Sequence, residues 1–289
     1  MFLFHLYVRL VLYCYILDFL VMNSLTDNSS CTDSQLLMPP ININVSKDYY
    51  KQLKKALYIE KPKDFNFVRV GNPYDGGYVM LDDFCTGDFI AYSFGISNDV
   101  SWDSDMADKG FEIYMYDHTI DNLPLSIDNF HYFKQGIAQK PNPEELLDTL
   151  DNFILQNNHQ NCNNMILKMD VEGCEWEVLN NIKSDTLNKF DQIVLEFHNV
   201  IRACDDKNAE AKINALKKLN KTHKPVHLHG NNCAYHICIE DTLYPDVIEV
   251  TYIKKSKYST CKDDVLFPTS LDRPCDPCRE DLVLGFWNR

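Results

Sequence analysis

Ile166-Leu167-Lys168-Met169-Asp170-Val171-Glu172-Gly173-Cys174-Glu175-Trp176-Glu177-Val178-Leu179 decides how the chain is read. Its opening residues form a short, largely apolar run suited to a buried strand, and the run ends on Asp170 and Glu172. Acids then fill the first turn of a helix, where the helix dipole favours them. Trp176, Leu179 and Ile182 fall where they can pack back onto a sheet. Two carboxylates at the mouth of a strand can position a substrate, take up a proton or hold a cationic group. Helix capping accounts for part of Glu172 and Glu175 and explains Asp170 less well.

The same alternation extends in both directions. Strands are expected at 89–94, 112–116, 165–169, 192–197, 226–228 and 247–252, with a weaker one at 130–133. Between them lie helices. Ser46 caps one running to about Glu60, with Leu53, Ala56 and Leu57 on one face. Residues 100–109 form another, closed by Gly110. Asn142-Pro143-Glu144 signals a third, with Leu146, Leu147, Leu150, Phe153 and Ile154 as its apolar face. Asp205-Asp206 precedes a fourth, striped by Ile213, Leu216 and Leu219. Such alternation predicts an α/β fold: a mostly parallel, Rossmann-like sheet with helices on both faces. Ligands of such sheets bind beyond the carboxyl ends of the strands, near the point where strand order reverses.

Residues just past the strands are therefore the ones to examine. Gly95, in Ser93-Phe94-Gly95-Ile96, lets the backbone approach a ligand, although alone it signals no more than a tight turn. Asp117 follows the next strand about 20 residues later, the spacing at which such folds offer an acid to ribose hydroxyls; an N-cap is the bland alternative. Glu196 and His198 share a strand face, and His198 is a candidate base. His227 and His229 also share a face and, with His198, suggest a metal-dependent hydrolase as a rival, although no complete ligand spacing is evident. Cys275-Asp276-Pro277-Cys278 resembles a redox or zinc half-site, but it has no partner CxxC, and in a secreted chain it reads as a structural disulfide. Asp75-Gly76-Gly77 reads as a hairpin turn, which leaves Arg69 unexplained.

The 289 residues carry a net charge of −14, which argues against a nucleic-acid substrate. Residues 1–22 are almost wholly apolar apart from His5, Arg9 and Asp18, and are long enough to span a bilayer. They read as a signal anchor or a cleaved signal peptide, 23–45 as a stem and 46–289 as the folded domain. Of the 11 cysteines, ten follow Cys14, an even number compatible with disulfides in an oxidising lumen. Asn28, Asn44 and Asn220 begin glycosylation sequons. Together these predict a lumen-facing, membrane-anchored protein of the secretory pathway, or a secreted one if the segment is cleaved.

Taken together, the segments resemble the FkbM-type methyltransferase family, in particular its eukaryotic secretory-pathway relatives. The resemblance runs from about Phe67 to Tyr252. Its pieces are Arg69 to Val79, Ser93-Phe94-Gly95-Ile96, Tyr116-Asp117, Lys168-Met169-Asp170-Val171-Glu172-Gly173-Cys174-Glu175, Leu195-Glu196-Phe197-His198, and Pro245 with Ile248 to Tyr252. The D-x-E-G-x-E run is the most specific of them.

The resemblance implies a class I methyltransferase sheet and bound S-adenosylmethionine as methyl donor, with transfer usually to oxygen. It implies a cofactor site of Arg69, Asp75, Gly76, Gly77, Ser93, Phe94, Gly95, Asp117, Ile137 and Asp170, and catalytic duty for Asp170, Glu172 and His198. It does not name the acceptor; location alone suggests a glycan, a lipid or a secreted protein. The chain departs from the common pattern in its first turn, where Ser93 stands in place of an acid and Gly95 is the lone glycine. A non-catalytic, methyltransferase-fold binding module is therefore the alternative.

Overall fold

The computed structural model describes residues 47–85, 87–201 and 206–289. The hydrophobic segment, the stem and the Asn28 and Asn44 sequons lie outside the described residues. Among the described residues no helix is long and apolar enough to cross a membrane.

Seven strands make the central sheet: β1 (Ile90–Phe94), β2 (Glu112–Tyr116), β3 (Phe130–Phe133), β4 (Met165–Met169), β5 (Phe190–Phe197), β6 (His223–Gly230) and β7 (Ile248–Lys254). Their spatial order is β6-β7-β5-β4-β1-β2-β3. From β3 to β5 all neighbours are parallel, while β7 runs antiparallel to both β5 and β6. Strand order therefore reverses between β1 and β4. This mixed α/β architecture is consistent with the methyltransferase-like fold that the resemblance implies.

The sheet buries both faces because its strands alternate large side chains. Tyr92, Phe94, Tyr116, Leu167, Met169 and Phe197 point to one face, packed by α1 (Lys47–Ala56), α3 (Leu150–Gln156), α4 (Glu175–Asn181) and α5 (Asp206–Thr222). Phe94 and Tyr116 stack at 5.0 Å, and Phe153 of α3 closes on Tyr116 at 4.2 Å. Ala91, Ile113, Met115 and Ile166 point to the other face. There the cover is α2 (Ser101–Asp108), through Trp102 and Met106, and an antiparallel hairpin of Phe67–Val70 with Tyr78–Leu81. The second face is thus covered by one helix and a hairpin, not by helices alone. The hairpin's connection spans 71–77, so Asp75-Gly76-Gly77 ends a longer loop and is not a two-residue turn. At the far end of the chain, Trp287 is 2% exposed and donates its indole N–H to the Leu57 carbonyl at 2.9 Å.

Two expectations need correcting. Asn142-Pro143-Glu144 opens only a 3-10 turn, Pro143–Glu145, and Leu146 then turns left-handed. Leu147–Asp148 pairs with Gly136–Ile137, so the helix starts at Leu150 instead, capped by the Thr149 hydroxyl, which accepts from Asn152 N–H. The eight described cysteines are free thiols; Cys275 is buried and Cys278 exposed, so the expected pairing between them is absent. The Asn220 side-chain amide donates to the Ala56 carbonyl at 2.7 Å.

Candidate active site

A cleft of about 450 Å³ opens over the switch point, on the carboxyl side of β1, β2 and β4. Gly95 and Asp170 meet at its floor. Asp170 N–H donates to the Phe94 carbonyl at 3.0 Å, and Gly95 N–H donates to the Tyr116 carbonyl at 3.1 Å. Gly95 has φ +77°, and a Cβ there would stand 1.5 Å from the Asp170 carbonyl oxygen. Only glycine lets these two loops lie in contact. Lys168, nearly buried, props the turn from below by donating to the Gly95 carbonyl at 2.9 Å. Beneath it lies Asp103, wholly buried; burial raises its pKa, opposed by the charge of Lys168.

Asp117 organises the loop that follows Gly95. One carboxylate oxygen accepts from the backbone N–H groups of Ile96 and Ser97, both at 2.9 Å. The other accepts from Thr119 N–H at 2.8 Å and the Thr119 hydroxyl at 2.6 Å. Burial would raise the Asp117 pKa, but these donors outweigh it and hold the group below the usual carboxylate range. Four donors match the acceptor capacity of a carboxylate. A ribose diol therefore gains Asp117 by displacing a donor, and the Thr119 hydroxyl, which rotates, is the cheapest to move.

The loop after β4 is built around a residue that the sequence suggested only as a capping acid. Glu175 is fully buried, and one of its oxygens accepts from Val171 N–H at 3.0 Å and Gly173 N–H at 3.2 Å. Glu172 between them sits at φ +56° and Gly173 at +109°, left-handed backbone that this carboxylate holds in place. The same oxygen pairs with His198 Nδ1 at 3.0 Å. His198 Nε2 then faces Glu172 at 3.4 Å and Asp170 at 3.9 Å. Burial would lower the His198 pKa, but the hydrogen bond and charge of Glu175, with Asp170 and Glu172, push it up to about 9. Three carboxylates thus surround His198, a setting that favours its protonated form. Asp170 is held from the other side by the Tyr78 hydroxyl at 3.2 Å.

The expected site residues divide cleanly. Asp75, Gly76, Gly95, Asp117, Ile137, Asp170 and Glu172 line the cleft. Arg69 does not: it donates to the carbonyls of Asn72 and Tyr74 and locks the hairpin loop. Gly77 lies beneath that loop, where a Cβ would meet the Asn72 carbonyl at 1.9 Å. Ser93 and Phe94 are wholly buried under the turn. His198 backs the cleft without lining it. The hairpin loop is tied down by Asn72, whose amide donates to Asp99 at 3.1 Å, and by Gly71 N–H, which donates to Asp105 at 2.7 Å. Tyr78, Lys168, Glu175 and Asp99 were missed. Of these, Glu175 had a signal, as the third acid of its run.

The cleft's walls suit a cationic ligand with an apolar body. Ile96, Trp102, Ile137 and Leu147 supply apolar surface; Asp75, Asp99, Asp117, Asp170 and Glu172 supply carboxylates against the single ammonium of Lys168. The donor set therefore fits S-adenosylmethionine, which is cationic and carries an adenosine. The three histidines of the hydrolase alternative are not brought together. His227 pairs with Asp272 at 3.2 Å, His229 with Glu249 and Asp281, and His198 with Glu175.

Residues 117–235 match the family model described as the methyltransferase FkbM domain. The match begins at Asp117 and takes in Ile137, Asp170, Glu172, Glu175 and His198, while the first turn and the hairpin precede it. No curated protein matches the chain. Residues 117–235 thus carry a methyltransferase domain of the FkbM family, as the resemblance implied.

Proposed function

We propose that this methyltransferase is S-adenosylmethionine-dependent and methylates oxygen. The observation that carries the proposal is the meeting of Gly95, Asp117 and Asp170 at the switch point of the sheet, in a cleft rich in carboxylates. S-adenosylmethionine, when bound, supplies an electrophilic methyl group on a cationic sulfur. The chain's own residues do the rest. Asp117 and the loop it fixes hold the ribose end, and Ile137 and Leu147 pack the adenine. Trp102 and the hairpin loop at Asp75 and Gly76 exclude water. Asp170, at the deep end, takes the proton of an acceptor hydroxyl while Tyr78 and His198 hold its orientation. A glycan, lipid or secreted-protein acceptor follows from the lumenal location that residues 1–22, the cysteine count and the sequons suggest.

Calorimetric titration of the full chain with S-adenosylmethionine tests the cofactor. Saturable binding that Asp170→Asn retains, together with loss of methyl transfer to a panel of hydroxyl acceptors in that variant, is the expected outcome. A folded chain that binds no S-adenosylmethionine would instead be a binding module on the same fold.

A further inference from the structure

Two motifs are left over from the methyltransferase reading: the His227/His229 pair and Cys275-Asp276-Pro277-Cys278. The fold joins them. On three neighbouring strands, β6, β7 and β5, the residues His229, Glu249 and Glu196 stand in register. The segment after Phe267 lays Cys275 onto Glu249, Sγ to Oε1 at 3.4 Å. His229 Nδ1 stands 3.1 Å from the other Glu249 oxygen. The ligand atoms of His229, Glu249 and Cys275 all lie within 4.8 Å of one another. The three residues are 1%, 5% and 4% exposed.

We propose that His229, Glu249 and Cys275 bind a zinc ion, which fastens the C-terminal segment to the edge of the sheet. A nitrogen, an oxygen and a sulfur donor is the mixed set that zinc accepts and that calcium or magnesium does not. The His229 ring is already oriented for the task. Its Nε2 lies 3.0 Å from Asp281, so a proton held there leaves the Nδ1 lone pair facing Glu249 and Cys275. The charges close as well: binding releases two protons to solvent, one from the Cys275 thiol and one from the hydrogen bond between His229 Nδ1 and Glu249, and one thiolate and one carboxylate neutralise the two positive charges of the ion. A neutral assembly is what a buried site requires. The segment has a need for the fastening. Between Leu266–Phe267 and Gly285–Phe286 it holds no helix or strand, and polar contacts tie it to β6 and the turn after it, through Asp272 to His227, Asp276 to Asn232 and Asp281 to His229. The proposal is independent of the methyl-transfer chemistry.

The full chain, reduced and stripped with a chelator, is titrated with cobalt(II) as a spectroscopic stand-in. Expected are a sulfur-to-cobalt charge-transfer band that saturates stoichiometrically, its loss on adding zinc, its absence in Cys275→Ser and its persistence in Cys278→Ser. A folded wild type without the band, or a band unchanged in Cys275→Ser, overturns the site. Should Cys275→Ser fail to fold, zinc-edge X-ray absorption of the wild type decides. One sulfur at about 2.3 Å with nitrogen and oxygen neighbours supports the site. A shell with no sulfur, or with several, overturns it.

Discussion

Glu175→Gln isolates the centre of the loop after β4. Gln keeps the volume and can still accept from the Val171 and Gly173 N–H groups, but it removes the charge that faces His198. In the native protein His198 rises from 6.5 to about 9 against the opposing effect of burial, with Glu175 the leading favourable partner. At 1.36 kcal/mol per pKa unit this shift stabilises the fold by about 3 kcal/mol. The folded pKa lies above the unfolded one, so the stabilisation is complete below pH ~6.5 and disappears as the pH climbs through ~9. Without Glu175 burial wins, and His198 returns toward or below its ordinary value. Two measurements follow: the His198 imidazole titration by NMR, and urea unfolding across this pH range for wild type and variant. We expect the His198 pKa to fall by about two units and the stability gap between the proteins to shrink with rising pH. Parallel stability curves, or a His198 in the variant that still titrates near 9, would refute the reasoning.

Three further outcomes are expected. Gly95→Ala drives a Cβ into the Asp170 carbonyl and forces a left-handed alanine, so S-adenosylmethionine binding should vanish in calorimetry while the circular dichroism of the fold persists; unchanged affinity would count against the floor described for the cleft. Asp117→Asn turns part of an acceptor surrounded by four donors into a donor, which should cost about 1–3 kcal/mol in unfolding and weaken the cofactor; an unaltered melting temperature would be inconsistent with the loop's dependence on it. Phe153→Ala empties a wholly buried position against Phe94 and Tyr116, at about 3–5 kcal/mol in urea denaturation, and a loss below 1 kcal/mol would show that α3 repacks.

Much of the sheet is legible in the chain because its strands are short buried runs bounded by turns. The expected ranges 112–116, 130–133 and 165–169 coincide with β2, β3 and β4. β6 is longer than expected, His223–Gly230 against 226–228, because its histidines and Pro225 disguise a buried strand that pairs them with carboxylates and backbone carbonyls. The signal at Asn142-Pro143-Glu144 is sound local chemistry overridden by a pairing with residues 136–137. That Asp117, Asp170 and Glu172 line the cleft was legible because ligands of such folds bind just past the strands. Tyr78 was not, because it reaches Asp170 from 92 residues away and nothing in the local pattern points there. Arg69 lies outside the cleft lining because its guanidinium turns to the Asn72 and Tyr74 carbonyls, and a motif match carries no information about which way a side chain turns.

Trp287 has a consequence for how the protein is made. Its indole is bonded to Leu57, 230 residues earlier, and Asn288 pairs with both backbone groups of Ile59. A chain emerging from the ribosome can assemble much of its sheet long before these residues exist. The end of the helix at Lys47–Ala56 gains these contacts only after Trp287 and Asn288 have been made. Until then Tyr244, which packs on Tyr50 at 4.8 Å, lacks the indole that meets it at 5.6 Å in the finished fold.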